Sequence, residues 1–223
     1  MNKDLNSRIF SSEYAVDKQE KTRLDTMLKL VGTGKDVLDT GCRDGTISKM
    51  IENLGNYVEA IEISEFSIKK AREKGLKVYD LDLNAPDWAD KIEKRYDVVF
   101  AAEILEHVFE TDLFLQNIHK VLKTGGILVL STPNLASLGR RILLLLGRNP
   151  VTELNTREGQ AGHVRYYVYE PLKDILRDNG FEVIEFTSDV VNFNSSASLC
   201  STKLAKLLPT IGRSLIVKAV KNE

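Results

Sequence analysis

Along the chain, short apolar runs bounded by glycine or polar turns alternate with stretches whose apolar residues recur at helical spacing. Residues 17–31 form the first helical stretch, with Leu24, Met27, Leu28 and Val31 on one face. Asp36 to Asp39 reads as a strand, Thr46 to Leu54 as a helix stopped by Gly55, and Tyr57 to Ile61 as a second strand. Ser64 is placed to cap a helix that ends at Gly75. Leu76 to Asp80 and Tyr96 to Ala101 supply strands three and four. A helix over about Asp112 to Leu122, a turn at Gly125-Gly126 and a strand from Ile127 to Ser131 follow. Pro171 opens another helix, Gly180 ends it, and Phe181 to Thr187 is a sixth strand. A helix of about Ser196 to Leu208 then leads to a last strand, Ser214 to Val220. This alternation predicts a doubly wound α/β fold, a mostly parallel sheet with helices on both faces. No repeat or linker divides the chain, so residues 1–223 are expected to form one domain.

The rhythm breaks between Asn134 and Arg165, where a Leu-rich helix, Pro150 and a polar stretch intervene. An irregular connection of this length is usually functional, and a lid-like insertion over about residues 134–165 is the expectation. Leu138, Ile142 and Leu145 share helical spacing, while Leu143, Leu144 and Leu146 widen the apolar surface. Arg140, Arg141 and Arg148 flank it, a pattern compatible with peripheral membrane contact. The plainer reading is a cap helix packed on the domain or on a second subunit. Monomer and homodimer both stay open.

Composition narrows the partners. Lys+Arg 31 against Asp+Glu 32 gives a formal net charge of −1, so the chain lacks the basic surplus of a DNA-binding protein. Met1 to Phe10 has no apolar core of a secretory signal, and the longest apolar run, Ile142 to Leu146, is far too short to span a bilayer. Cys42 and Cys200 sit in no C-x-x-C, as expected of reduced thiols in a cytoplasmic protein.

The most informative stretch is Val37-Leu38-Asp39-Thr40-Gly41-Cys42-Arg43-Asp44-Gly45-Thr46, with Glu62 closing the next strand. A tight turn and a carboxylate side by side at a topological switch point suit a nucleoside-type cofactor, the acid accepting from a ribose diol. Neither G-x-G-x-x-G nor G-x-x-x-x-G-K-[ST] is present, which argues against dinucleotides and against a phosphate loop. The stretch resembles motif I of the class I S-adenosylmethionine-dependent methyltransferases, Asp39, Gly41 and Gly45 matching its acid and outer glycines. Arg43 replaces the middle glycine, so its side chain should point away from the cofactor or its φ should be negative. The resemblance runs from about Tyr14 to Val220 and implies a Rossmann-like sheet of seven strands, the last antiparallel beside the sixth. It sets Glu62 on the ribose and Asp82 with Leu83 at the adenine, Asp80 being the competing register. Ala101, at the end of strand four, completes the expected S-adenosylmethionine set. Tyr14 is a candidate to cover the cofactor.

Two further runs point to the acceptor side. In Glu103-Ile104-Leu105-Glu106-His107, residues 103, 106 and 107 would share one face of a helical turn at the carboxyl end of the sheet. An imidazole there can take a proton from a hydroxyl, which makes His107 the expected base. The run resembles small-molecule O-methyltransferases of the ubiquinone-biosynthesis type. Gly162-His163-Val164-Arg165-Tyr166 matches a segment that faces the acceptor pocket in that family, so His163 is the second catalytic candidate and Arg165 a possible anion clamp.

Glu103, Glu106, His107 and His163, with Ser131-Thr132-Pro133-Asn134, also resemble the metal group of small-RNA 2′-O-methyltransferases. The downstream run lacks a second nearby histidine and the chain lacks a basic patch, which argues against RNA and against a metal. The expectation is therefore methyl transfer to a hydroxyl of a small metabolite, lipid or glycan. A silent S-adenosylmethionine-binding partner or sensor is the alternative.

Overall fold

The computed structural model describes residues 17–151, 162–194 and 198–222. In chain order, α1 (Lys18–Val31), β1 (Asp36–Thr40), α2 (Thr46–Glu52), β2 (Tyr57–Glu62), α3 (Glu65–Glu73), β3 (Lys77–Asp80) and β4 (Tyr96–Ala102) build the first half. The second half comprises α4 (Thr111–Val121), β5 (Leu122–Pro133), α5 (Leu138–Leu145), α6 (Tyr169–Asp178), β6 (Phe181–Thr187), β7 (Val191–Asn192), β8 (Cys200–Ser201), α7 (Thr202–Leu207) and β9 (Ser214–Lys221). Seven strands form one sheet in the order β3-β2-β1-β4-β5-β9-β6. All neighbours are parallel except β9, which runs antiparallel between β5 and β6. The strand order reverses direction between β1 and β4, and their carboxyl ends diverge into a crevice there.

Both faces of the sheet are buried, which explains why its central strands read as nearly continuous apolar runs. Alternate residues feed opposite layers. Leu38, Val99, Leu128 and Leu130 pack against Trp88, Phe114 and Phe181 on one side. Val37, Val98, Phe100 and Val129 meet Leu24 and Met27 of α1 on the other. Asp17 fixes where α1 begins, its Oδ1 accepting from the Gln19 and Glu20 N–H groups at 2.7 and 2.8 Å.

Three local expectations are corrected. The Gly125-Gly126 turn is absorbed into β5 as an irregularity: Tyr96 pairs with Leu122, then Val98 with Ile127, and Gly125 at φ +67° takes up the extra residues. The helix expected over Ser196 to Leu208 is shortened to α7, because Cys200 and Ser201 pair with Val191 and Asn192 and Ser201 caps the helix by accepting from Leu204 N at 3.1 Å. The expected cap helix is present but lies at the surface: α5 touches β7 and buries none of its residues. Tyr14 and residues 152–161 of the expected lid lie outside the described residues. Among the described residues no helix is long and apolar enough to cross a membrane.

Phe100 is fully buried in the central strand β4. Phe100→Ala should cost about 3–5 kcal/mol, from lost transfer energy and the cavity left behind. Urea unfolding checks it. A loss under about 1 kcal/mol would mean that this layer is not packed as described.

Candidate active site

A cavity of about 430 Å³ opens at the carboxyl ends of β1, β2 and β4. Its floor is the turn after β1. Gly41 N–H and Cys42 N–H both donate to the Ile61 carbonyl, at 2.9 and 3.1 Å, which bends the chain sharply off the strand. Gly41 has φ +78°, and a Cβ there would stand 2.2 Å from Ile104 Cδ1. The turn therefore requires glycine for its conformation and for the approach of the β4 loop. Gly45 also has φ +79°, but its absent Cβ makes room for Leu76 and Ala71 rather than for a ligand, which turns that candidate into a packing position.

Glu62 organises this half of the cavity. Its Oε1 accepts from the Ile63 and Ser64 N–H groups at 2.8 and 2.9 Å, and its Oε2 accepts from Arg43 N–H at 2.9 Å. The carboxylate is thereby aimed while Oε2 keeps lone-pair capacity for a ligand hydroxyl. Arg43 departs from the expectation: its φ is +50°, not negative, and the residue lines the cavity instead of turning away. Asp39 is fully enclosed beneath the turn and accepts from Ser48 Oγ at 2.6 Å. Burial pushes its carboxyl up to about 7, with the Glu62 charge adding to the rise and Ser48 opposing it. Asp82 and Leu83 lie on the cavity wall, whereas Asp80 faces a separate shallow groove beside Arg72. Ala101 is corrected: its side chain is sunk in the core, and the next residue, Ala102, is the one on the wall.

Arg23 was not legible as a site residue. It sits on the buried face of α1, 8% exposed, and reaches the cavity between two acids. Its Nη2 donates to Glu20 Oε1 at 3.0 Å, its Nη1 meets Glu103 Oε2 at 3.1 Å, and its Nε is buried without a partner. The one signal available was an arginine among the apolar positions of an amphipathic helix.

Glu103, Glu106, His107 and His163 gather around the same cavity. They do not share a helical turn as expected. Glu103 is in the left-handed region at φ +54°, and only Leu105–His107 form a 3-10 turn. Two hydroxyls at the end of β5 hold the acids: Ser131 Oγ donates to Glu103 Oε1 at 2.8 Å and Thr132 Oγ1 to Glu106 Oε2 at 2.9 Å. The Glu106 carbonyl accepts from Val164 N–H and Arg165 N–H, which ties the His163 segment to the 3-10 turn. The His107 and His163 rings meet edge to face at 4.8 Å. Burial first, and His163 second, lower His107 to about 4, so its ring is neutral at physiological pH. A hydrogen bond to the Gly162 backbone opposes that shift, while His107 Nδ1 is buried with no partner. Burial first and Glu103 second push Glu106 well above the usual carboxylate range. Arg165 turns outward and donates to the Phe109 carbonyl, so it clamps no anion in the cavity. Glu106, His107 and His163 also present ligand atoms within 4.8 Å of one another, the one group among the described residues that could hold a metal.

The turn after β1 and the neutral His107 imidazole line one cavity. A family model described as a methyltransferase domain matches residues 14–186. The chain belongs to that family, the class I methyltransferases whose methyl donor is S-adenosylmethionine. It is similar to the ubiquinone biosynthesis O-methyltransferase of Thiobacillus denitrificans, 30% identical over 174 residues that cover 76% of this chain and 73% of that protein. The protein of the same name from Pseudomonas syringae is 33% identical over 105 residues, 45% of each chain. Among solved structures, the N-methyltransferase NodS of Bradyrhizobium japonicum with S-adenosylhomocysteine superposes with a TM-score of 0.66, at 16% identity over 99% of this chain and 97% of that one. Magnesium protoporphyrin IX methyltransferase of Synechocystis, also with S-adenosylhomocysteine, gives 0.61 at 19% identity, covering 98% and 94%.

Asp39 supplies a test through pH. Its folded-state value, about 7, lies above the ordinary 3.8, so between those values the folded chain binds more protons than the unfolded one. Its contribution to stability is full below about pH 4 and is lost as pH rises through about 7. Asp39→Asn, which retains the bond from Ser48, should flatten the fall in melting temperature over that window. Identical slopes in the two proteins would show that Asp39 titrates normally.

Proposed function

We propose that this chain transfers the methyl group of S-adenosylmethionine to a hydroxyl of a small metabolite, lipid or glycan. The observation that carries the reading is the shared cavity, with Glu62 and Asp82 at one end and the neutral His107 at the other. Support comes also from the O-methyltransferase names of the sequence relatives and from the S-adenosylhomocysteine in two structural neighbours. Bound S-adenosylmethionine supplies an electrophilic methyl on a sulfonium. The residues present fit it: the turn at Gly41 lines the cavity, Glu62 Oε2 suits the ribose hydroxyls, and Asp82 with Leu83 suits the adenine edge. Arg23 Nε suits the amino-acid carboxylate.

What the chain adds is alignment and proton removal. The neutral His107 ring offers a lone pair for the acceptor hydroxyl. Bound S-adenosylmethionine would supply the methyl to the acceptor oxygen, and the His107 ring would take that oxygen's proton. His163 packs on the His107 ring and positions it. The reading without a metal expects activity to survive exhaustive EDTA treatment. The 4.8 Å cluster favours a second reading, in which Glu106, His107 and His163 hold a divalent ion; loss of activity on chelation, restored by Mg or Mn, would replace the first reading with this one.

S-adenosylhomocysteine at about 100 times its dissociation constant should add roughly 2.7 kcal/mol of stability, and Glu62→Ala should shrink that gain. A melt shifted by NADH and not by S-adenosylhomocysteine would overturn the cofactor assignment. His107→Ala should leave cofactor affinity nearly intact and lower turnover by about 10²- to 10⁴-fold. Normal turnover on the acceptor would remove His107 from the mechanism.

A further inference from the structure

Arg23 stands between two carboxylates that line the cavity with it, and the two are anchored differently. Glu103 meets Arg23 Nη1 through Oε2 at 3.1 Å, while its Oε1 accepts from the fully buried Ser131 hydroxyl at 2.8 Å. Its backbone N–H donates to the Ser131 carbonyl, so Glu103 is fixed to the end of β5. Glu20 stands on α1 itself, one turn before Arg23, and its Oε1 accepts from Nη2 at 3.0 Å. The charge of Glu20 also acts on Arg43, which lines the cavity from the turn after β1.

A guanidinium presents its donors in planar forks, and the fork of Nε–H and Nη2–H matches the two oxygens of one carboxylate. Glu20 holds the Nη2 half of that fork in Arg23, and Nε is buried with no partner. Nη1, which Glu103 holds, is not part of the fork. A buried charged N–H left without an acceptor is costly, so the fork is a site for a ligand carboxylate. Glu20 decides which carboxylate fits. An anion on Nε comes beside Glu20 Oε1, and the like charges repel. An α-amino acid carries an ammonium on the carbon next to its carboxylate. That cation offsets the repulsion and can donate to Glu20, which a bare carboxylate cannot do. An amine without a carboxylate leaves Nε unpaired.

We propose that Glu20 is a specificity-determining residue for the cofactor. Together with Arg23 it makes the cavity select a complete α-amino-acid moiety, the carboxylate on the Nε–H and Nη2–H fork and the ammonium on Glu20. An adenosyl ligand with either charge alone is rejected, the bare carboxylate by repulsion and the bare amine by the unpaired Nε. The inference rests on the S-adenosylmethionine reading and on Arg23 as the carboxylate partner. It adds a second reader on α1: Glu62 and Asp82 hold what adenosyl ligands share, and the Glu20–Arg23 pair reads the arm in which they differ.

Calorimetric titration of the full chain with four ligands tests this. S-adenosylhomocysteine carries both charges, its deaminated analogue only the carboxylate, its decarboxylated analogue only the ammonium, and 5′-methylthioadenosine neither. The wild type should bind S-adenosylhomocysteine most tightly. Glu20→Gln should weaken S-adenosylhomocysteine and the decarboxylated analogue about tenfold, the effect of one charge-assisted hydrogen bond. It should leave the deaminated analogue no weaker and 5′-methylthioadenosine unchanged, the latter also showing that the cavity is intact. Equal loss of S-adenosylhomocysteine and its deaminated analogue would mean that Glu20 only holds Arg23 in place, and would overturn the proposal. Tighter binding of S-adenosylhomocysteine would make Glu20 a competitor for Arg23 and overturn it equally. Wild-type binding of S-adenosylhomocysteine with unaltered selectivity in Glu20→Gln would remove the role of Glu20 alone, whereas a wild type that binds none of the four would overturn the cofactor reading and the proposal with it.

Discussion

Three backbone N–H groups converge on the carboxylate of Glu62, and the shape of the site follows from that convergence. Two come from the start of the loop after β2 and one from Arg43, in the turn after β1. The side chain thus staples the ends of two parallel strands together. A charged acceptor holding several amides is strong in a partly enclosed site, because little water competes for either partner. With the turn after β1 fixed in this way, Gly41 presents a bare backbone to the cavity and Ile104 of the neighbouring loop can close to it. The positive φ at Arg43, costly for a residue with a Cβ, is held by its N–H bond to Glu62.

The part of the cavity that holds His107 is built by a different device. Ser131 and Thr132, fully buried at the end of β5, lend their hydroxyls to Glu103 and Glu106 and so orient two acids that burial alone would disfavour. Glu103 in turn ties to Arg23 on α1, so the first helix, the β4 loop and the end of β5 meet in one polar chain. His107 rides on this support, and its burial keeps the imidazole neutral.

The cavity and the exposed surface of α5 lie on neighbouring parts of one edge of the sheet. The cavity sits at the strand ends and the loops that leave them, while α5 and α7 follow the end of β5 and the short β7–β8 pair. Sheet-end positions hold side chains to the tolerance that transfer requires. The outer helices carry no such constraint.

The sequence alone determined the elements and their class. Alternating apolar runs and helical faces require a parallel sheet covered on both sides, and Gly41 followed by Glu62 marks the ligand end of it, since each is a local signal written in consecutive residues. The preference for Asp82 over Asp80 rested on where the third strand stops, and Asp82 lies on the cavity wall while Asp80 does not. The tertiary structure decided the rest. Gly45 and Ala101 face the core rather than the cavity, because their burial depends on Leu76, Ala71 and the packed faces of distant strands. Glu103 leaves the helical face its spacing suggested, because Ser131 and Arg23, remote in sequence, draw it into the left-handed region. Arg23 itself was invisible as a site residue, since only the packing of α1 over the strand ends brings it to the cavity. The apolar run of α5 read as a packing face, yet nothing among the described residues covers it. Spacing defines which side chains share a face, and only the assembled fold decides what that face meets.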